Sequence, residues 1–423
     1  MKSGISEINY LDLFAGGGGL SEGFIRAGYS PVAHIEKDTA SSYTLKTRMS
    51  YHWLKNHGEE DIYNKYIAGE LERNSLYRYV PDSILNTVIN KEINNSNLQS
   101  IFEHTDYLLN GRKLDLIIGG PPCQAYSLVG RSRDVRKMLG DSRNYLYKYY
   151  AEFLRYYRPA CFIFENVTGL LSARDEDGTL YFDNMIKLFH ETGYETEYKI
   201  LSAEKYGVPQ TRRRVFIFGY QQGLNMSYPE PSEKNLENTV SELFSDLPYV
   251  SAGNGKYYAS AYCSAGTKYL YDSRIRCDSI PLTFHVARQN SENDREIYKI
   301  AVKKWTEGEE RLNYNDLPEH LKTHKNRASF TDRFKVVAGN YKYSHTVVAH
   351  ISKDGHYYIH PDLNQNRSLT PREAARLQTF PDDYFFESYS GKPVKTPAYT
   401  QIGNAVPVLL AHGIAEKLKE NWS

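Results

Sequence analysis

Short apolar runs alternating with helix-spaced segments predict an α/β fold: a doubly wound, mostly parallel sheet with a second, smaller domain. Three observations carry that expectation. The runs LDLIIGG (114–120), ACFIFENV (160–167) and RVFIFGY (214–220) are continuously apolar, as parallel strands covered on both faces must be. Between them YLYKYYAEFLRYY and YFDNMIKLFHETG have helical spacing. Near the start, INYLDLF runs into four consecutive glycines, the mark of a strand-to-helix turn.

Taken in order, residues 8–38 read as strand, glycine turn, helix and a second short strand ending in acid, PVAHIEKD. Residues 43–105 are polar and patchily amphipathic, and are expected to form a helical surface insertion between sheet elements. Order resumes at Leu114. PEPSEKN (229–235) reads as a linker, and about 150 residues without βα regularity then predict the second domain. AVPVLLAHGIAEKLKE (405–420) is an amphipathic helix. The expected division is 1–224, completed by 394–423, and a second domain over 225–393.

The 423 residues carry 52 Lys+Arg against 51 Asp+Glu, which excludes a uniformly basic nucleic-acid coat protein but not a local basic groove. No run approaches the ~20 apolar residues of a membrane span. The 4 cysteines lie far apart with no CxxC pair, so neither a zinc site nor a disulfide framework is expected. A cytoplasmic setting follows from that usage.

The chemistry concentrates at strand ends. Glycines in DLFAGGGGLSEGF (12–24) let the backbone turn tightly and approach a nucleotide. Glu36, ending the next strand, suits ribose hydroxyls. GxGxxG fails in both registers, because Ser21 and Glu22 occupy the third position, and Glu22 would repel a pyrophosphate. A nucleoside without phosphates, such as S-adenosylmethionine, suits the turn better than a nicotinamide dinucleotide. GGPPCQAYS (119–127) sets Cys123 at a strand's carboxyl end, between prolines and a polar stretch. A thiol there implies covalent attack on a substrate. FIFENV delivers Glu165 to another strand end, where a carboxylate is either paired with arginine or functional. In QTRRRVFIFG, alternation sends Arg212 and Arg214 to one side, able to hold a carboxylate, a phosphate or a base carbonyl.

Together these pieces resemble the cytosine-C5 DNA methyltransferase family of bacterial restriction–modification systems. The order DLFAGGGGLSEGF, PPCQAYS, ENV, QTRRR, LTPREAARLQTFPDDY (369–384) and QIGNAVP (401–407) carries the resemblance. It implies a DNA (cytosine-5-)-methyltransferase that uses S-adenosyl-L-methionine, releases S-adenosyl-L-homocysteine, and acts on double-stranded DNA as a monomer. A cognate restriction endonuclease would be its functional partner, not necessarily a physical one. The resemblance makes Cys123 the thiol that adds to cytosine carbon 6, Glu165 the acid at ring nitrogen 3, and Arg212 and Arg214 the pocket around both. It sets Phe14 against the adenine, Gly16, Gly17 and Gly18 near the methionine part, Glu36 at the ribose and Asp106 at the adenine amino group. Pro121, Leu146, Asn404 and Val406 complete that pocket. No metal is implied.

A stacked cytosine is out of reach, so the base must be flipped. The segment 128–143 holds Arg131, Arg133, Arg136, Lys137 and Arg143 against two acids, with Gly130 and Gly140 as hinges of a closing loop. Gln124, Ser127 and Gln210 are expected at the DNA. In the second domain, six cations between Lys322 and Lys342, Lys335 among them, interleave with aromatics and face only Asp332. Such a stripe suits phosphate contacts. Thr346 is expected at the flipped nucleotide's backbone. Arg372 and Glu373 read as a helix start and interdomain glue. The large second domain favours a duplex over transfer RNA as substrate.

Overall fold

The computed structural model describes residues 7–122, 145–175, 177–325, 327–328 and 330–422. Strands β1 (Asn9–Leu13), β2 (Ser30–Ile35), β3 (Val88–Ile89), β4 (Leu116–Gly119), β5 (Cys161–Val167), β6 (Tyr194–Ser202) and β7 (Arg213–Gln221) form one sheet in the order β3-β2-β1-β4-β5-β7-β6. All pairs from β3 to β5 are parallel. The run RVFIFGY, expected to be parallel, is instead antiparallel to both neighbours. Burial on both faces makes a strand apolar whichever way it runs, so composition is blind to its direction. β3 and β6 escape pattern reading for separate reasons. β3 has two residues, and β6 is an edge strand whose middle is mostly exposed.

Helices cover both faces. Helix α1 (Gly19–Arg26) leaves the glycine turn, and α2 (Thr39–Asn56), α3 (Glu60–Ile67) and α4 (Leu98–Leu109) lie between β2 and β4. Helices α5 (Leu146–Tyr157) and α6 (Tyr181–Glu191) flank β5. One apolar cluster joins α4, α5 and α6 to Leu11, Leu13, Phe162 and Phe164. The other joins the opposite face, through Tyr10, Ile118 and Ile163, to the C-terminal segment.

The second region contains α7 (Glu292–Gly308) and α8 (Pro371–Leu377), followed by α9 (Lys395–Asn404) and α10 (Val408–Glu420). Thr370 caps α8: its Oγ1 accepts from Glu373 N at 3.2 Å while the Glu373 carboxylate accepts from Thr370 N at 2.7 Å, with Pro371 at the first helical position. Such a cap contributes about 1 kcal/mol. α10 packs on α1 so closely that a Cβ on Gly23 would lie 2.5 Å from Ala411 Cβ.

Residues 43–105 are not the surface insertion expected. Tyr51, Leu54, Tyr63, Tyr66, Ile67 and Leu76 enter one buried cluster with Leu243, Leu270, Phe284, Leu369, Phe385 and Tyr399. Their apolar positions are diluted among polar ones, so periodicity understated what they bury. Tyr384, on the second-domain side of the expected 393/394 boundary, donates its hydroxyl to Gly17 O at 2.8 Å. The two parts interlock rather than abut.

Four arginines are among the largest fully buried side chains: Arg212, Arg367, Arg372 and Arg376. Arg376 meets Asp246 Oδ1 at 2.5 Å and Asp382 Oδ2 at 2.6 Å. Arg367 meets Glu373 at 2.7 Å. Arg372, expected as interdomain glue, donates instead to the carbonyls of Thr283, Pro381 and Tyr384, all within its own 225–393 region. Nearer β1, Glu22 accepts from Arg48 at 2.6 Å and lies 2.9 Å from His52, and Arg48 also reaches Asp383 at 3.1 Å. Among the described residues, no helix is long and apolar enough to cross a membrane.

Candidate active site

The site lies along the carboxyl edge of the sheet, where β1, β2, β4 and β5 end. β1 finishes in Phe14, whose φ of 59° is rare for a bulky residue and marks backbone strain of about 1–3 kcal/mol. Gly16 and Gly18 follow with φ of 55° and 83°. Packing separates the glycines. A Cβ on Gly17 would press on Gln401 at 3.0 Å, and one on Gly18 would meet the Tyr384 hydroxyl at 2.5 Å. A Cβ on Gly16 would meet nothing within 4 Å. Gly17 and Gly18 therefore answer to the protein's own packing, and Gly16 opens onto free space.

Glu36 closes the turn from β2. Its Oε2 accepts from Gly16 N at 2.8 Å and its Oε1 from Asp38 N at 2.7 Å. Burial raises its pKa above the ordinary carboxylate value, against the pull of those two N–H groups. Asp12 on β1 is buried and pushed well up, by burial first and by the charge of Glu36 second. Among the described residues its Oδ2 has no hydrogen-bond partner, and neither has Gln401 Oε1 beside Gly17. Two orphaned acceptors and an open glycine ask for a donor-bearing ligand. Val406 O lies 2.4 Å from where a Gly19 Cβ would stand, and Asn404, at the end of α9, is exposed nearby. Leu146 opens α5 on this same edge.

Asp106 does not belong here. It sits in the last turn of α4, which runs back from the carboxyl edge, and it accepts from Tyr156 OH at 2.6 Å. Tyr156 is in the last turn of α5, which leads into the amino end of β5, so Asp106 lies on the opposite rim. The residue that ends β3 beside Glu36 is Asn90, whose Nδ2 donates to Glu36 O at 3.0 Å and to Lys37 O at 3.1 Å. A two-residue strand in a polar stretch offered no pattern by which to find it.

At the β5 end, Glu165 Oε1 lies 2.9 Å from Arg214 Nε, both side chains being 13–14% exposed. Burial raises the Glu165 pKa, and Arg214 and Arg212 only partly offset it. The carboxylate reaches Gly120, where a Cβ would stand 2.6 Å from Glu165 Oε2. Asn166, the next residue, donates from Nδ2 to Pro121 O at 3.2 Å. Together they anchor the strand exit that leads to the cysteine. Cys123, Gln124, Ser127, Arg131, Arg133 and Arg136 lie outside the described residues, as does the rest of the 128–143 loop.

Arg212 and Arg214 part company, because Arg212 precedes β7 and is not bound by its alternation. Arg212 is buried in the seam and donates to Val347 O at 2.6 Å and Gly403 O at 3.3 Å. Gln210, expected at the DNA, is fully buried. It donates to Leu377 O at 2.6 Å and accepts from Val347 N at 3.0 Å, acting as an interdomain strut. Thr346, half-buried, donates to Thr211 O, and Tyr358 OH bridges Thr346 O and Val348 N at 3.0 Å each. The strap 344–348 is thus pinned to 209–212.

The expected basic stripe is largely neutralised. Lys322 and Arg327 pair with Glu319, Arg333 with Asp354, and Lys335 with Asp332 at 2.6 Å. Phe334 is buried in a small core with Tyr298 and Tyr314 rather than interleaved for stacking. Lys342 is exposed.

The sequence profile of C-5 cytosine-specific DNA methylases matches residues 83–420. The chain is 40% identical to the type II methyltransferase M.Bpa9945I of Bacillus paralicheniformis, over 97% of this chain and 98% of that one. It is 31% identical to the type II methyltransferase M.DdeI of Desulfomicrobium norvegicum, over 97% of this chain and 88% of the other. Among solved structures, a prophage-encoded DNA modification methyltransferase (E. coli) superposes with a TM-score of 0.62 at 22% identity, covering 98% of this chain and 99% of that one.

Proposed function

The chain belongs to the C-5 cytosine-specific DNA methylase family and is a DNA cytosine methyltransferase of the type II restriction–modification kind, and from that premise we propose how its residues divide the work. Residues 1–224 with 394–423 carry the chemistry, and 225–393 read the duplex. The observation that carries the reading is the meeting of Glu165, whose carboxyl burial pushes above its ordinary range, with the Gly120–Pro121 exit that leads to Cys123.

The target cytosine is flipped from the duplex, since its ring is unreachable while stacked. The Cys123 thiolate adds to carbon 6. Glu165, whose burial favours the protonated form, donates to ring nitrogen 3 and neutralises the charge that this addition creates. Arg214 holds the Glu165 carboxyl in place at 2.9 Å. After carbon 5 has been methylated its proton leaves, and the thiolate is expelled as the ring double bond re-forms.

The glycine turn fits S-adenosyl-L-methionine. Gly16 leaves room, Glu36 offers carboxylate oxygens toward ribose hydroxyls, and Asp12 and Gln401 present unpartnered acceptors. When bound, this cofactor supplies an electrophilic methyl group. Phe14, Val406 and Asn404 would wall the pocket, with Asn90 replacing Asp106 at its far side.

Two measurements test the reading. Bisulfite sequencing of DNA from cells expressing the chain should reveal 5-methylcytosine within one short motif. Mass spectrometry with a 5-fluorocytosine duplex should find an adduct on the Cys123 peptide, and an adduct on any other peptide would end the assignment.

A further inference from the structure

A cleft of about 460 Å³ opens in the second region, between α7 and the tip of a hairpin whose strands pair at Ile359 and Ser368. Its helical wall presents Arg295, Lys299 and Lys303, four residues apart and therefore on one ridge. Facing them stand Tyr249, 63% exposed, with its hydroxyl donating to Asn364 O at 2.9 Å, and the side chain of Asn366.

No carboxylate of the described residues lines this cleft. That distinguishes it from the neighbouring cations of the same region, which pair with Glu319, Asp332 and Asp354. The carboxylate nearest Arg295 is Glu292, 3.9 Å away and 95% exposed. Arg295 Nε is buried without a hydrogen-bond partner among the described residues, an orphaned donor. Like charges one turn apart destabilise a helix. A ridge that keeps three of them beside an aromatic ring and amides is built for a polyanion.

We propose that this cleft grips the sugar–phosphate backbone of duplex DNA outside the target base, an inference that rests on the reading of the chain as a DNA methyltransferase. The hairpin connects the two places. Tyr358 at its base bonds the Thr346 turn, and residues 363–366 at its tip line the cleft. The arm from Tyr358 to Asp362 spans roughly 13 Å at ~3.3 Å per residue, over a third of a ~34 Å turn of B-DNA, before Gln365 N and Asn366 N close the tip on Asp362 O.

The test is the salt dependence of DNA binding by the full chain and by its Arg295→Gln/Lys299→Gln/Lys303→Gln variant, glutamine being a good helix former. On a duplex of about three turns centred on the methylated site, the variant should lower the slope of log K against log salt by about two to three, at ~0.9 per phosphate. Turnover at saturating DNA and low salt should match wild type. An unchanged slope on the long duplex overturns the proposal. So does calorimetric binding of inorganic tripolyphosphate that the variant loses while its DNA slope stays put, since the cleft would then serve a small anion. A wild-type chain that shows the slope difference but leaves cytosine unmethylated would uphold the cleft and overturn the catalytic reading.

Discussion

Carboxylates in two regions of this molecule are largely shielded from water, yet their pKa values are shifted in opposite directions. At the interdomain seam and within the second region, burial alone would raise Glu22, Glu373 and Asp246, but their arginines prevail. Arg48 with His52, Arg367 with His360, and Arg376 with Arg276 hold these groups below the ordinary carboxylate range. At the sheet's carboxyl edge, Asp12, Glu36 and Glu165 are raised, because burial there outweighs what the neighbours supply. Glu387 is the instructive exception in the seam. It is raised by burial, since its cation among the described residues, Arg73, stands 3.4 Å away. Burial is common to both regions; the supply of close cations decides. A saturated ion pair is structural, whereas an under-compensated carboxyl binds a proton more tightly than it would in water and is suited to donate it.

The largest effect should come from the under-compensated side. Glu165→Gln should lower turnover by about 10²–10⁴-fold while leaving cofactor affinity as it was, measured by methylation kinetics beside calorimetry. Turnover equal to wild type would erase the functional contrast between the two regions. On the saturated side, Arg376→Met leaves Asp246 and Asp382 without their shared cation and should cost about 3–5 kcal/mol in denaturant unfolding. A loss near zero would mean that the second region tolerates bare carboxylates.

Within the glycine turn the contrast sharpens to two residues. Gly18→Ala, at φ 83° with Tyr384 and Leu45 within 3 Å of the new methyl, should destabilise the fold by about 1–3 kcal/mol. Gly16→Ala carries only the left-handed strain of about 1 kcal/mol, and its main effect should be weaker cofactor binding. Equal stability losses would remove the distinction between a packing glycine and a ligand glycine.

The smallest effects are in pH. Glu373 is depressed when folded, so its stabilisation is complete above the unfolded pKa of about 4.3 and is lost as pH falls below it. Glu373→Gln should remove that part of the acid limb in a Tm–pH profile. Asp12 is raised when folded, so stability declines as pH climbs from about 3.9, where the unfolded chain ionises, toward its folded value. Asp12→Asn should abolish this decline, giving a Tm above wild type at neutral pH. If both substitutions shift Tm in the same direction at neutral pH, the opposition between the regions fails.

Much of the edge was legible locally. A glycine-rich turn, a proline-stiffened exit and a carboxylate at a strand end are short, and each is built from neighbours in sequence. Asp106 shows the limit: the resemblance sets this acid at the adenine, whereas Asn90 follows a strand of two residues that has no period to read. Gln210 and Arg212 show another. Their side chains could serve DNA, a substrate or a carbonyl, and only the arrival of Val347, Leu377 and Gly403 from more than 130 residues away decided for carbonyls.

By itself, then, the sequence determined the α/β class, the strand ends that carry chemistry, and the helix start at Thr370. These depend on periodicity, caps and turn residues, all of which act within a few positions. Tertiary structure alone decided the direction of β7, the burial of 43–80 into the shared core, and which arginines are paired with carboxylates and which line an acid-free cleft. Those outcomes turn on desolvation and on partners distant in the chain, and neither is a property of any local stretch of residues.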